Sequence, residues 1–148
     1  MYTAKEVLVT FNATINGYEE IYRGVARTFG LSDCAFWILY FIRQSEEKVT
    51  QKDICSFIYQ PKQTVHSALK KMVKDGWIEV GDYNGKRHKY VTLTKKGEEF
   101  SRKTVDLVLA EEIAAFEDMG ASERELAMKL LAKYSDSLSR RMSKFRQE

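Results

Sequence analysis

Residues 50–97 read TQKDICSFIYQPKQTVHSALKKMVKDGWIEVGDYNGKRHKYVTLTKKG, and this stretch decides the fold. Thr50 followed by Asp53 makes a near capping box that opens a short helix from Gln51 to about Ile58. A break at Tyr59-Gln60 follows. Pro61, the chain's single proline, suits the first position of the next helix, where its missing N–H costs nothing, and Gly76 closes that helix after Asp75. The period then changes to short β-type runs, Trp77 to Val80 and His88 to Leu93. Asp82-Tyr83-Asn84-Gly85 joins them, with Asn-Gly as the hairpin signal.

Helix, turn, helix and basic hairpin is the layout of a winged helix-turn-helix, in which the second helix enters the DNA major groove and the hairpin reaches an adjacent groove or the backbone. A helical wheel over Pro61–Asp75 tests this. Val65, Ala68, Leu69 and Met72 share one face, and Gln63, Ser67, Lys70 and Lys74 share the opposite one, flanked by His66 and Lys71. The expected outward face is polar and basic. Gln63 can pair bidentately with adenine, Lys62, Lys70 and Lys71 suit phosphates, and Thr64, His66 and Ser67 can add hydrogen bonds. At the wing the turn would project Lys86, Arg87, His88 and Lys89, with Arg87 as the candidate for a narrow minor groove.

Charge agrees with this placement. Residues 61–96 hold nine basic side chains against Asp75, Glu79 and Asp82, a net of +6 in a chain whose total is +3, so the remainder carries −3. A basic middle between acidic ends reads as a local footprint for a polyanion.

Outward from the core stretch, Val7, Phe11, Ile15, Tyr18, Tyr22, Val25 and Phe29 recur at steps of four and three, predicting an amphipathic helix over Tyr2–Phe29 that ends at Gly30. Ser32 would cap a second helix through Gln44, apolar nearly all round and therefore central. Thr94 would cap a long helix to about Met119. Ser122 with Glu125 forms a capping box for a last helix whose stripe is Leu126, Leu130, Tyr134, Leu138, Met142 and Phe145. The class is mainly α with a small β-hairpin wing. With 148 residues, 44% of them hydrophobic, the chain is one packed domain's worth of sequence. Its longest apolar run, Ala35 to Ile42, is too short for a membrane span, and the first ten residues lack the pattern of a secretory signal, so a cytoplasmic protein without a membrane partner is expected.

In Leu31-Ser32, Thr50-Gln51-Lys52-Asp53-Ile54, the run from Gln63 to Met72 into Asp75-Gly76, and Val91-Thr92-Leu93-Thr94-Lys95-Lys96-Gly97, the chain resembles the MarR family of bacterial transcription regulators. The closing Leu-Thr-x-x-Gly after a basic wing is the most specific part. The resemblance implies a single MarR-like domain over 1–148, with a winged helix-turn-helix lobe at 31–97 and dimerisation helices at 1–30 and 98–148. It further implies a homodimer, commonly a repressor, whose DNA affinity responds to a small ligand or oxidant. The family's wing often has an Asp two positions before its arginine, where this chain has Gly85. Without the family, apolar stripes at both ends exceed what one small lobe needs and mark an interface; the alternative is a single compact helical lobe.

Cys34 lies near the start of the central helix, where the helix dipole lowers a thiol pKa and would suit an oxidant sensor, although Asp33 opposes that and a packed thiol is the plainer reading. Cys55 reads as a small core residue. Phe11, Tyr18, Phe36, Trp37 and Tyr40 are candidates for an effector pocket or simply core aromatics. Two histidines, both on the expected DNA surface, give no metal site, and no cofactor loop or catalytic constellation is present in the sequence. The expected function is therefore a homodimeric, sequence-specific repressor on a pseudo-palindromic operator. Its rival is a winged-helix module for protein interaction or effector binding, without specific DNA contact.

Overall fold

The computed structural model of the chain describes residues 1–82 and 89–145. The helices are α1 (Ala4–Thr28), α2 (Asp33–Gln44), α3 (Gln51–Phe57), α4 (Lys62–Lys74), α5 (Lys95–Arg102), α6 (Val105–Glu117) and α7 (Ala121–Met142), with a 3-10 turn at Ser143–Phe145. The strands are β1 (Val49–Thr50), β2 (Ile78–Asp82) and β3 (Lys89–Leu93). The result is a mainly helical chain with one small antiparallel sheet, as the sequence predicts. Two compact units, 1–109 and 110–148, divide it.

In the first unit α2 is the spine. Phe36, Ile38 and Leu39 are fully buried, and Ile54 of α3, Val65, Leu69 and Met72 of α4, Ile78 of β2, Val91 of β3 and Val105 of α6 join them in one core. Each such side chain contributes about 1.5–3 kcal/mol by leaving water. The caps are local. Ser32 Oγ accepts from the Ala35 N–H at 3.2 Å. Thr50 Oγ1 accepts from the Asp53 N–H at 3.1 Å while the Asp53 carboxylate accepts from the Thr50 N–H at 2.9 Å, completing the expected box. Gly30 leaves α1 with φ +69°, in the left-handed region that glycine enters at no steric cost.

Four expectations shift. Pro61 is the N-cap of α4, with extended ψ, and the helix begins at Lys62. The sheet has a third strand: β1 lies beside β3, Val49 opposite Val91 and Thr50 opposite Tyr90, in the order β1-β3-β2. The helix expected from Thr94 to about Met119 is two helices. At Lys103 and Thr104 the N–H groups donate to carbonyls three residues back (Phe100 and Ser101), and Thr104 Oγ1 donates to Phe100 O at 2.8 Å, so the α-helical ladder is interrupted. In the second unit the last helix starts at Ala121 rather than at a Ser122 cap. Gly120 is its N-cap, and the Glu123 carboxylate accepts from the Gly120 N–H at 2.7 Å, so Glu123, not Glu125, caps the helix, with a single side-chain bond in place of a full box. Arg124 donates to the Met119 carbonyl at 2.6 Å, tying the turn.

The hairpin strands pair as expected, with Ile78 opposite Leu93, but β2 runs beyond Val80 through Gly81 to Asp82, which pairs with Lys89 where a turn residue was expected. The turn expected at Asn84-Gly85, and with it Lys86, Arg87 and His88, lies outside the described residues. No single described helix is long and apolar enough to cross a membrane.

Candidate nucleic-acid interface

Helix α4 divides its surface as the wheel requires. Val65, Leu69 and Met72 are buried and Ala68 is half-buried, whereas Lys62, Gln63, Thr64, His66, Ser67, Lys70, Lys71 and Lys74 are exposed. The apolar face is held by α2, α3 and β2, so the polar face is turned outward by default. Along that face Lys71 pairs with Asp75 at 3.6 Å across one turn, a weak, solvent-screened contact.

The end of α4 is fastened by the segment that follows the wing. Gly76 takes φ +74°. Thr94 Oγ1 donates to the Gly76 carbonyl at 2.6 Å and accepts from the Gly97 N–H at 3.0 Å, while the Thr94 N–H donates to Trp77 O at 3.0 Å. Lys96 Nζ donates to the Asp75 carbonyl at 2.7 Å, satisfying a C-terminal oxygen of α4. Trp77 and Phe100 stack with ring centroids 4.5 Å apart. Gly97 has a steric reason: a Cβ there would stand 1.9 Å from the Trp77 oxygen. The Leu-Thr-x-x-Gly pattern is thus a junction between α5 and the end of α4. The sequence signals its presence but not this close approach.

Of the expected pocket aromatics, Phe36, Trp37 and Tyr40 do gather, together with Tyr22. The Trp37 ring lies 5.0 Å from Tyr22, 5.1 Å from Phe36 and 5.2 Å from Tyr40. Phe36 and Tyr40 are buried in this cluster, Phe11 is partly buried, and Tyr18 is half exposed. The open space lies on the other edge of Trp37, in a cleft of about 440 Å³ lined by Glu19, Arg23, Asp33, Trp37, Phe57 and Tyr59 among others. Arg23 and Asp33 approach to 3.5 Å there. Only Trp37 of the expected five lines it, because Phe36 faces the core.

Cys34 is buried, and desolvation, with a smaller contribution from Cys55, pushes its thiol pKa up. That is opposite to the shift expected from the helix dipole: burial outweighs a half-charge at the helix end. Cys55 is partly buried. Among the described residues no three histidine, cysteine or acidic side chains cluster as metal ligands.

Residues 29–88 match the model of the MarR family. The chain is similar to that family over this segment. Over 70 residues, 47% of this chain, it is 34% identical to the uncharacterized HTH-type transcriptional regulator YwoH of Bacillus subtilis, and the match spans half of that relative's length. The MarR-family regulator NMB1585 of Neisseria meningitidis superposes with TM-score 0.77 at 21% identity, over 94% of this chain and 98% of that one. MepR of S. aureus in complex with DNA superposes with TM-score 0.66 at 17% identity, over 93% and 99%. The fold is that of these MarR-family structures.

Proposed function

We propose that the chain is a sequence-specific DNA-binding regulator that acts in the cytoplasm as a homodimeric repressor. The observation carrying this reading is α4: an apolar face seated in the core, a fastened C-terminus, and an outward row of Gln63, Ser67 and Lys70 flanked by Lys62, His66, Thr64 and Lys71. Gln63 is assigned to base readout and the lysines mainly to phosphates. Lys86, Arg87 and His88 are assigned to the wing's contact. A MepR–DNA complex on the same fold supports DNA as the partner.

Two-fold assembly is supported by the terminal helices, the proposed dimerisation segments at 1–30 and 98–148. No residue of α7 is buried, and Leu126, Leu130, Leu131, Tyr134, Leu138 and Phe145 are exposed, as are Val7, Leu8 and Ile15 of α1. Apolar faces of that extent call for a partner surface, here a second copy. A dimer would set two α4 helices roughly 34–36 Å apart on a pseudo-palindrome, blocking polymerase. The Trp37 cleft beside α1 and α2 has room for a small-molecule effector, and the burial of Cys34 favours such a ligand over an oxidant.

Binding of the purified protein to fragments of its own upstream region, across a salt series with excess nonspecific competitor, tests the reading. Tight, competitor-resistant binding with two protomers per site and a steep negative slope of log affinity in log salt is expected. Weak binding, equal for all sequences, or a flat slope would overturn it in favour of a protein-interaction module.

A further inference from the structure

The Trp37 cleft, about 440 Å³, is walled by Glu19 and Arg23 of α1, Asp33 and Trp37 of α2, Phe57 at the end of α3 and Tyr59 beyond it. Its aromatic wall is open to water. Phe41 stacks on one face of the Phe57 ring, centroids 4.3 Å apart, yet Phe57 stays 41% exposed, and Tyr59 is fully exposed. Trp37 is half-buried, with Phe36 and Tyr40 meeting its ring edge-to-face at 79° and 72°. Three rings bordering one cleft hold apolar surface against solvent, and their faces carry the negative lobe of the ring quadrupole.

The ionised side chains of the wall have the same sign on balance. Glu19 is exposed and stands in no ion pair among the described residues. Arg23 is the one cation among the described residues lining the cleft, and it is already engaged: its Nη1 lies 3.3 Å from Glu20 and its Nε 3.5 Å from Asp33. Two carboxylates against one paired guanidinium leave the wall net negative. An anion seated on Arg23 would stand beside Asp33 on that same guanidinium and share the wall with Glu19, so repulsion offsets what the guanidinium offers. A cation meets no such opposition: ring faces attract it within about 6 Å of their centroids, and Glu19 supplies a counter-charge. The attraction favours a diffuse, weakly hydrated charge over a compact, strongly hydrated ammonium.

We propose that the ligand of this cleft is a flat organic cation, an aromatic ring bearing a delocalised or quaternary positive charge, held against the rings of Trp37, Phe57 and Tyr59 with Glu19 as its counter-ion. The proposal rests on the effector reading of the cleft given above and adds to it the chemical class of the effector. Tyr59 lies two residues before Pro61, the N-cap of α4, so the bound ring bears on the segment from which the outward row of Gln63, Ser67 and Lys70 starts.

The experiment is calorimetric titration of the full-length protein with two bicyclic probes of similar size and opposite charge, N-methylquinolinium and 2-naphthoate. It is repeated on Glu19→Gln and Tyr59→Ala, both exposed positions, each checked for an unchanged thermal melt. N-methylquinolinium is expected to bind about tenfold tighter than 2-naphthoate, and each substitution to weaken it about threefold. Equal or tighter binding of 2-naphthoate would overturn the cationic assignment and leave the effector reading standing. Cation binding that neither variant weakens would place the ligand elsewhere and overturn the assignment to this cleft. Failure of both probes to bind would overturn both the ligand class and the effector reading. A bound cation that leaves affinity for the upstream DNA fragments unchanged would overturn the effector reading alone.

Discussion

Replacing Gly97 by alanine would place a methyl carbon 1.9 Å from the carbonyl oxygen of Trp77 and 2.8 Å from its carbon. Carbon and oxygen come no closer than about 3.3 Å even in a favourable C–H···O contact, so α5 and the Trp77 peptide must separate by about 1.4 Å. Neither partner is a flexible side-chain end. The Trp77 N–H donates to Met72 O at 3.0 Å and its carbonyl accepts from the Thr94 N–H at 3.0 Å, while the next residue, Ile78, is buried and paired with Leu93. Opening the junction therefore breaks the bonds from the Thr94 N–H, the Thr94 hydroxyl and Lys96 Nζ, at about 1 kcal/mol each. It also costs the Trp77–Phe100 stack about 1 kcal/mol. Alanine returns about 1 kcal/mol through its better helix propensity. The net expectation is a loss of about 3 kcal/mol, read as a lower urea midpoint at unchanged slope and fixed protein concentration. A Gly97→Ala protein within about 0.5 kcal/mol of the parent would refute the claim that this close approach is rigid.

Three further outcomes follow from the same coordinates. Arg43 forms a two-pronged pair with Asp106, Nε–Oδ1 2.7 Å and Nη2–Oδ2 2.6 Å, with about a quarter of each side chain exposed. Asp106→Ala should cost about 1–3 kcal/mol in chemical denaturation, between the values for exposed and buried pairs, and a change near zero would mean that solvent already screens the pair. Glu6 is held below the ordinary carboxylate range by hydrogen bonds from the Thr3 backbone and hydroxyl. Its contribution to the start of α1 is therefore present above the unfolded pKa and lost as pH falls through the depressed folded value, so the protection of the Thr3 amide, relative to its intrinsic exchange rate at each pH, should fall only under acid conditions. Cys55 should react with a thiol reagent in the native protein while Cys34 stays protected until the chain unfolds. Equal rates at the two would contradict the burial and raised pKa of Cys34.

Periodicity and capping residues are local signals, and where they are unambiguous the expectation and the structure agree. Examples are Ser32 before α2, the Thr50–Asp53 box, the apolar face of α4, and Gly76 after it. Misplaced features had competing local signals. Ser122-x-x-Glu125 has the better cap residue, yet Glu123 reaches the Gly120 backbone three residues earlier, and Arg124 fastens that turn to Met119. The break at Lys103-Thr104 lies inside a helical pattern, and threonine does not announce it, since Thr14 makes the same bond from its hydroxyl to the carbonyl four residues back within the unbroken α1. β1 has two residues, too few for any alternation to register.

The candidate interface divides in the same way. Gln63, Ser67 and Lys70 are legible as an outward row because helix geometry alone places them opposite Val65, Leu69 and Met72. That Lys52 and Ser56 share a groove with Lys89 is not legible, since they lie 37 and 33 positions from it in the chain, and the pairing of β1, just before α3, with β3 brings these elements together. Likewise, Trp37 faces a cleft whereas Phe36 faces the core, a distinction of one residue on a helix that is apolar nearly all round. By itself the sequence determined which segments are helical, which face of each is apolar, and which stretch is basic, because those depend on near neighbours along the chain. Only the tertiary structure decided which cations share a groove, why residue 97 has no side chain, and which way the Cys34 thiol titrates, because those depend on burial and on contacts between segments distant in the chain.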